Sequence, residues 1–148
     1  GILWMCIGAI IVWREETRDH WFFIPLLSSI ASSWILVDYV LKPLIGRARP
    51  GLLEGAILVG HLPGQYSFPS GHAATAFAAA EIIASKDKRL RIPIFLLAIL
   101  VCFSRVYLGH HYPTDVIAGA ILGWGIGFGI TMIDRHVRLL LGQKKSPF

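Results

Sequence analysis

The chain has 148 residues, of which 55% are hydrophobic and only 16% charged, with a formal net charge of +5. Soluble domains average about 25% charged residues, so the composition excludes a disordered chain and argues against an ordinary water-soluble domain. The length suits a single domain over 1–148, with room for about five membrane-spanning helices of roughly 20 residues each. Cys6 and Cys102 both lie inside apolar runs, which indicates neither a disulfide framework nor a zinc ribbon.

In chain order, the first apolar run is Ile2 to Trp13. It follows Gly1 rather than Met and is short for a span, so it reads as a truncated N-terminal helix. A signal peptide is disfavoured, because no basic residue precedes the run and no small-residue cleavage site follows it. The second run is Trp21 to Leu41, with Asp38 its only charge; the third extends from Tyr66 to Ser85, with His72 near its start. The fourth is Ile92 to Leu108, broken by Arg105, and the fifth is Val116 to Ile133, with no charge. Barrel strands are about 10 residues long and alternate in polarity; these runs are longer and do not. The expected fold is therefore all-α, an integral membrane bundle of about five to six transmembrane helices. Gly119, Gly123 and Gly127, the parallel row Gly125 and Gly129, and the alanines from Ala73 to Ala80 suit close helix packing in lipid. Residues 51–68 form a loop in which Leu52 to Val59 reads as a short interfacial helix, or a plain loop, that shapes lipid entry. The tail from Gly142 to Phe148 is expected to fray.

The connections alternate sides. Arg14, Arg18, Lys86, Lys88, Arg89, Arg91, Arg135, Arg138, Lys144 and Lys145 fall on one side; Lys42, Arg47, Arg49 and Arg105 alone fall on the other. The positive-inside rule makes the first side cytoplasmic. In a soluble chain the basic balance would suggest nucleic acid. Here topology accounts for most of it, and the expected partners are membrane lipids, with no nucleic acid. The four cations on the outer side need a different reason.

Three polar segments meet in that outer layer: Lys42 to Pro50, Pro69 to His72, and Ser104 to Asp115. Arginine grips phosphate through two parallel hydrogen bonds. Ser70 reads as an N-cap, and the helix start behind it offers free N–H groups to an anion, with Gly71 permitting close approach. A lone Arg would be read as snorkelling to headgroups; four cations beside a helix N-terminus point to a phosphoryl site. His111 stands four residues before Asp115, so the carboxylate can hold one ring nitrogen and leave the other to attack. His72, with no acidic residue near it in sequence, can protonate a leaving oxygen. His61 and His110 are read as structural, and Asp38 as the helical i,i+4 partner of Lys42. His72, His110, His111 and Asp115 could also ligate a metal. Four cations would repel one, however, and no familiar zinc spacing is present, so neither metal nor cofactor is expected.

These segments resemble the three signature motifs of the type-2 phosphatidic acid phosphatase superfamily, K-x6-R-P, P-S-G-H and S-R-x5-H-x3-D. Lys42 to Pro50 fits the first, Pro69 to His72 the second, and Ser104, Arg105, His111 and Asp115 the third. The resemblance implies an integral membrane lipid phosphatase with a phosphohistidine intermediate and no metal requirement. By it, His111 is the nucleophile, Asp115 orients it, and His72 is general acid and then base for water. Lys42, Arg49 and Arg105 clamp the phosphoryl oxygens, aided by Ser70 and the Gly71 N–H; Arg47 occupies a free position of the first motif. Bacterial members commonly have six spans, one more than the runs found here. The substrate classes implied are undecaprenyl diphosphate, phosphatidylglycerophosphate, phosphatidic acid and lipid A phosphate, handled at the outer face of a bacterial inner membrane. Phosphotransfer between lipids and non-catalytic lipid or anion transport are the alternatives. Oligomeric state is not legible.

Overall fold

The computed structural model describes Trp4, residues 22–52 and residues 64–142. The first apolar run apart from Trp4, the stretch after Leu52 read as an interfacial helix, and the tail beyond Gly142 lie outside the described residues.

Four long helices make up the described part. Helix α1 is Phe23–Ile45, α2 is Gly71–Lys86, α3 is Arg91–Tyr107 and α4 is Pro113–Leu140. Short 3-10 turns at Pro50–Leu52 and Lys88–Leu90 lie in the connections. Helix α1 is not uniform: Ile35–Leu41 is π-helical, and the Lys42 N–H bonds to the Val37 carbonyl five residues back. Pro43 supplies the reason. It has no N–H for the carbonyl four residues before it, so the ladder widens there by one residue. The wide turn holds Asp38 and hands the chain to Lys42.

Helices α1 and α4, and the 20-residue stretch Lys88–Tyr107 that contains α3, are long and apolar enough to cross a membrane. Their outward faces carry Ile24, Leu27, Ile92, Leu100, Phe103, Ile121 and Ile133, all exposed, an apolar exterior suited to lipid rather than water. Helix α2 is different. Its 16 residues reach only about 24 Å, because Ser70 caps it late in the third apolar run. It packs against α1, α3 and α4 and forms the buried centre, where Ala76, Ala79, Ala80, Ile82 and Ile83 meet Leu26 of α1 and Ile94 and Ala98 of α3. The acid of α2, Glu81, is buried and accepts a hydrogen bond from Trp124 Nε1 of α4 at 3.2 Å.

Helix α4 runs parallel to α2 in the closest interface among the described helices. A Cβ at Gly119, Gly123 or Gly127 would collide with the backbone carbonyls of Ser70, Ala74 and Ala78 respectively. Gly125 and Gly129 face open space among the described residues, so the second glycine row takes no part in the packing of the described helices. The two rows point in different directions, and only one can face α2. Gly123→Ala is therefore expected to lower stability by at least the ~1–3 kcal/mol typical of overpacking. Gly125→Ala and Gly129→Ala should be neutral or slightly stabilising, since alanine is the better helix former. Thermal unfolding of the three variants in detergent checks this; equal losses in all three would refute the packing assignment.

Candidate active site

The chain reverses between successive helices, so the C-terminal ends of α1 and α3 and the N-terminal ends of α2 and α4 share one end of the bundle. Backbone hydrogen bonds stitch the three polar segments together there. Ser70 N–H donates to the Asp115 carbonyl at 2.9 Å, Gly51 N–H to the Gly109 carbonyl at 3.2 Å, and Ser67 N–H to the Arg47 carbonyl at 2.8 Å. The Arg105 carbonyl receives the N–H groups of both His110 and His111, which turns the chain sharply and points His111 inward.

His111 and Asp115 are buried at the centre of this layer. The ring of His111 is held at both nitrogens. Nδ1 lies 2.8 Å from the Ser67 carbonyl oxygen, and Nε2 lies 3.2 Å from Arg49 Nη1. A carbonyl can only accept and a guanidinium can only donate, so Nδ1 carries the proton and Nε2 carries the lone pair. Burial first, and then the charge of Arg49, lower the His111 pKa from 6.5 to about 3. The ring is neutral at physiological pH, with the Nε2 lone pair facing a cation.

Arg49 is 1% exposed. Besides His111, it donates from Nη1 to the His110 carbonyl at 2.8 Å and from Nε to the Gly64 carbonyl at 2.7 Å. Burial lowers its pKa, and the carboxylates of Asp115 and Asp38 oppose that shift. His110 thus contributes its backbone.

The spacing of His111 and Asp115 suggested a hydrogen bond between them. The structure directs that hydrogen bond elsewhere. Asp115 Oδ2 stands 3.6 Å from Nδ1, beyond hydrogen-bond reach, and the N–H is given to Ser67. The carboxylate is occupied otherwise: Oδ2 accepts the Tyr112 N–H at 2.9 Å, as at a helix N-terminus, and Oδ1 accepts from Arg47 Nη1 at 2.8 Å. Asp115 therefore stands behind the ring without a hydrogen bond to it. Ser67 escaped the sequence reading because its contribution is a backbone carbonyl, which leaves no trace in residue type.

Ser70 caps α2 as expected, its Oγ accepting from Ala73 N–H at 3.4 Å. Lys42 pairs with Asp38, as the i,i+4 spacing indicated. Gly71 serves close approach, but the anion against it is internal: a Cβ at Gly71 would lie 2.8 Å from Asp38 Oδ2. His72 is exposed at the first turn of α2, and the charges of Arg105, Lys42 and Asp38 all act on it. Arg105, in the last turn of α3, is half-buried, with Nε 3.2 Å from Ser104 Oγ. So Arg49, His111 and Asp115 form one buried cluster, while Lys42, His72 and Arg105 form a more open rim. Among the described residues, no group of three His, Cys, Asp or Glu side chains converges as metal ligands would.

Comparison with known proteins follows the same outline. The chain is 31% identical over 141 residues to a lipid A 4'-phosphatase of Bacteroides thetaiotaomicron, covering 86% of this chain and 61% of that protein. It is 33% identical over 134 residues to an undecaprenyl-diphosphatase of Sulfolobus acidocaldarius, covering 89% and 64%. The chain thus spans somewhat over three fifths of the length of these relatives. Its structure is similar to the crystal structure of a transmembrane PAP2-type phosphatidylglycerolphosphate phosphatase from Bacillus subtilis, with a TM-score of 0.71 and 33% identity over 91% of this chain and 68% of that one. The family model of the PAP2 superfamily matches residues 22–138, a segment that contains α1 to α3, all but the last two residues of α4 and every residue of the cluster and its rim, and the chain belongs to that superfamily.

Proposed function

We propose that the protein is an integral membrane lipid phosphatase that works through a phosphohistidine and needs no metal. The observation that carries this reading is the tautomer of His111: Nδ1–H is committed to Ser67, and the Nε2 lone pair is held beside Arg49. In the first half-reaction Nε2 attacks phosphorus, the bond from phosphorus to the lipid oxygen breaks, and His72 gives that oxygen its proton. As positive charge develops on the ring, the Asp115 carboxylate stabilises it. Arg49, Arg105 and Lys42, with the Ser70 and Gly71 end of α2, hold the phosphoryl oxygens. In the second half-reaction His72 takes a proton from water, the water oxygen attacks the phosphohistidine, and inorganic phosphate leaves with His111 restored.

Lys86, Lys88, Arg89, Arg91, Arg135 and Arg138 lie toward the opposite end of the bundle, which by the positive-inside rule faces the cytoplasm. The site then opens to the outer face of a bacterial cytoplasmic membrane, where a lipid phosphate and water can both reach it. The relatives' names point to anionic envelope lipids, either monoesters or diphosphates, as substrates.

Purified protein given a panel of these lipids is expected to release inorganic phosphate with EDTA present, and to be inhibited by vanadate, a mimic of five-coordinate phosphorus. Activity lost to the chelator and restored by zinc or magnesium would assign the chemistry to a metal. Release only when a second lipid is supplied would make the protein a phosphotransferase; no release from any lipid would favour transport.

A further inference from the structure

Arg47 occupies a free position of the first motif, yet it is more tightly engaged than either half-buried basic residue of the rim. Its Nη1 donates to Thr114 Oγ1 and to Asp115 Oδ1, both at 2.8 Å, and its guanidinium carbon sits 4.1 Å from the centroid of the Tyr112 ring. All three partners belong to the start of α4. The backbone of Arg47 makes a second link. Its carbonyl accepts the Ser67 N–H at 2.8 Å, with Ser67 Oγ at 3.3 Å. The two acceptors that flank His111 Nδ1 are the Ser67 carbonyl and the Asp115 carboxylate. Arg47 fixes the first through its main chain and the second through its side chain.

We propose, on the phosphatase reading above, that Arg47 is a positioning residue for the nucleophile: it holds the Asp115 carboxylate at the back of the His111 ring and takes no part in gripping phosphate. The Asp115 carboxylate is 0% exposed while the Arg47 side chain is 38% exposed, so the arginine brings its charge from the surface to an acid that no water reaches. Without it, the carboxylate would keep, among the described residues, the Tyr112 N–H alone as hydrogen-bond donor and would be free to rotate toward or away from Nδ1. Arg47 lies on the Nδ1 side of the ring and Arg49 on the Nε2 side. Phosphorus bonds to Nε2, so loss of Arg47 should slow phosphoryl transfer and leave phosphate recognition alone.

The test uses the whole protein in detergent, with nitrophenyl phosphate for burst kinetics and vanadate as the phosphoryl mimic. Arg47→Gln is expected to slow the burst about 10–100-fold, the loss usual when a partner that orients a reactive ligand is removed. The vanadate inhibition constant should stay within about twofold, and the burst amplitude should report an undiminished fraction of folded enzyme. Arg47→Lys, which keeps the charge, should recover part of the rate. In an Asp115→Asn background, Arg47→Gln should have little further effect, because the two act through one interaction. Vanadate affinity that falls with the burst rate would place Arg47 on the phosphate and overturn the proposal. Rate losses that multiply in the double variant would overturn it as well. If Arg47→Gln does not fold, the same comparison is made with Arg47→Lys, where a full wild-type burst rate would count against the proposal. Wild-type enzyme is the control: with no turnover of any phosphate ester the phosphatase reading itself falls, whereas normal wild-type turnover confines any failure to Arg47.

Discussion

His111→Ala is expected to form no phosphoenzyme with any substrate, and His72→Ala to lose activity in proportion to the basicity of the leaving group. The two histidines stand at different places for this reason. His111 is buried with its lone pair beside Arg49, and nothing in a leaving group can replace a missing nucleophile. His72 is exposed on the rim, suited to passing protons between the substrate and water. A lipid alkoxide is strongly basic and needs the proton, so His72→Ala should lose about 10²–10⁴-fold on a lipid monophosphate. A nitrophenolate, or the phosphate leaving from a diphosphate, needs it far less. That variant should still give a burst with nitrophenyl phosphate, then stall as phosphoenzyme, since the proposed mechanism has His72 activate water as well. A burst from His111→Ala and none from His72→Ala would reverse the two roles.

Acid should affect His111, the proposed nucleophile, little over the usual range. Its pKa is lowered to about 3, so the burst rate with nitrophenyl phosphate should show no titration of His111 near 6.5. The stability linkage has a definite sign. The unfolded chain carries a histidine of ordinary pKa 6.5, the folded chain one near 3, so between these values the unfolded state binds more protons. The contribution of His111 to stability is complete above 6.5 and declines as pH falls toward 3.

The second large effect concerns Arg49. Arg49→Ala removes the donor facing His111 Nε2, the proposed reacting nitrogen, a change that typically costs about 10²–10³-fold in rate. It also leaves the carbonyls of Gly64 and His110 without the hydrogen bonds they accept from this side chain, so stability should fall too. The two losses are separable: burst amplitude counts folded sites and burst rate measures the chemistry. Arg49→Lys keeps the charge but cannot reach all three acceptors from one ammonium, so it should remain poor. Removing the arginine charge should also raise the His111 pKa, and an acid limb should move up into the measurable range. A normal burst rate in Arg49→Ala would remove Arg49 from the site.

Much of this was determined by sequence alone, wherever the relevant geometry is local. Runs of apolar residues longer than a barrel strand give helices, and their alternation brings the three polar segments to one end. Ser70 caps α2 and Asp38 pairs with Lys42 because caps and i,i+4 neighbours follow from the helical repeat itself. Two expectations were altered where the partner came from elsewhere in the chain. Among the described residues the Gly125 and Gly129 row meets no neighbour, because contact with α2 decides which of the two glycine faces of α4 is used there. His111 gives its proton to Ser67, 44 residues earlier, rather than to Asp115, four residues later. Spacing showed that Asp115 could be near; it could not show that Tyr112 N–H and Arg47 would claim its oxygens. The tertiary structure alone decided the burial of Arg49, the approach of Asp38 to Gly71 and the engagement of Arg47. A buried donor goes to whichever acceptor the packed chain brings within about 3 Å, and when that acceptor is a backbone carbonyl or lies far along the chain, residue type and spacing do not encode it.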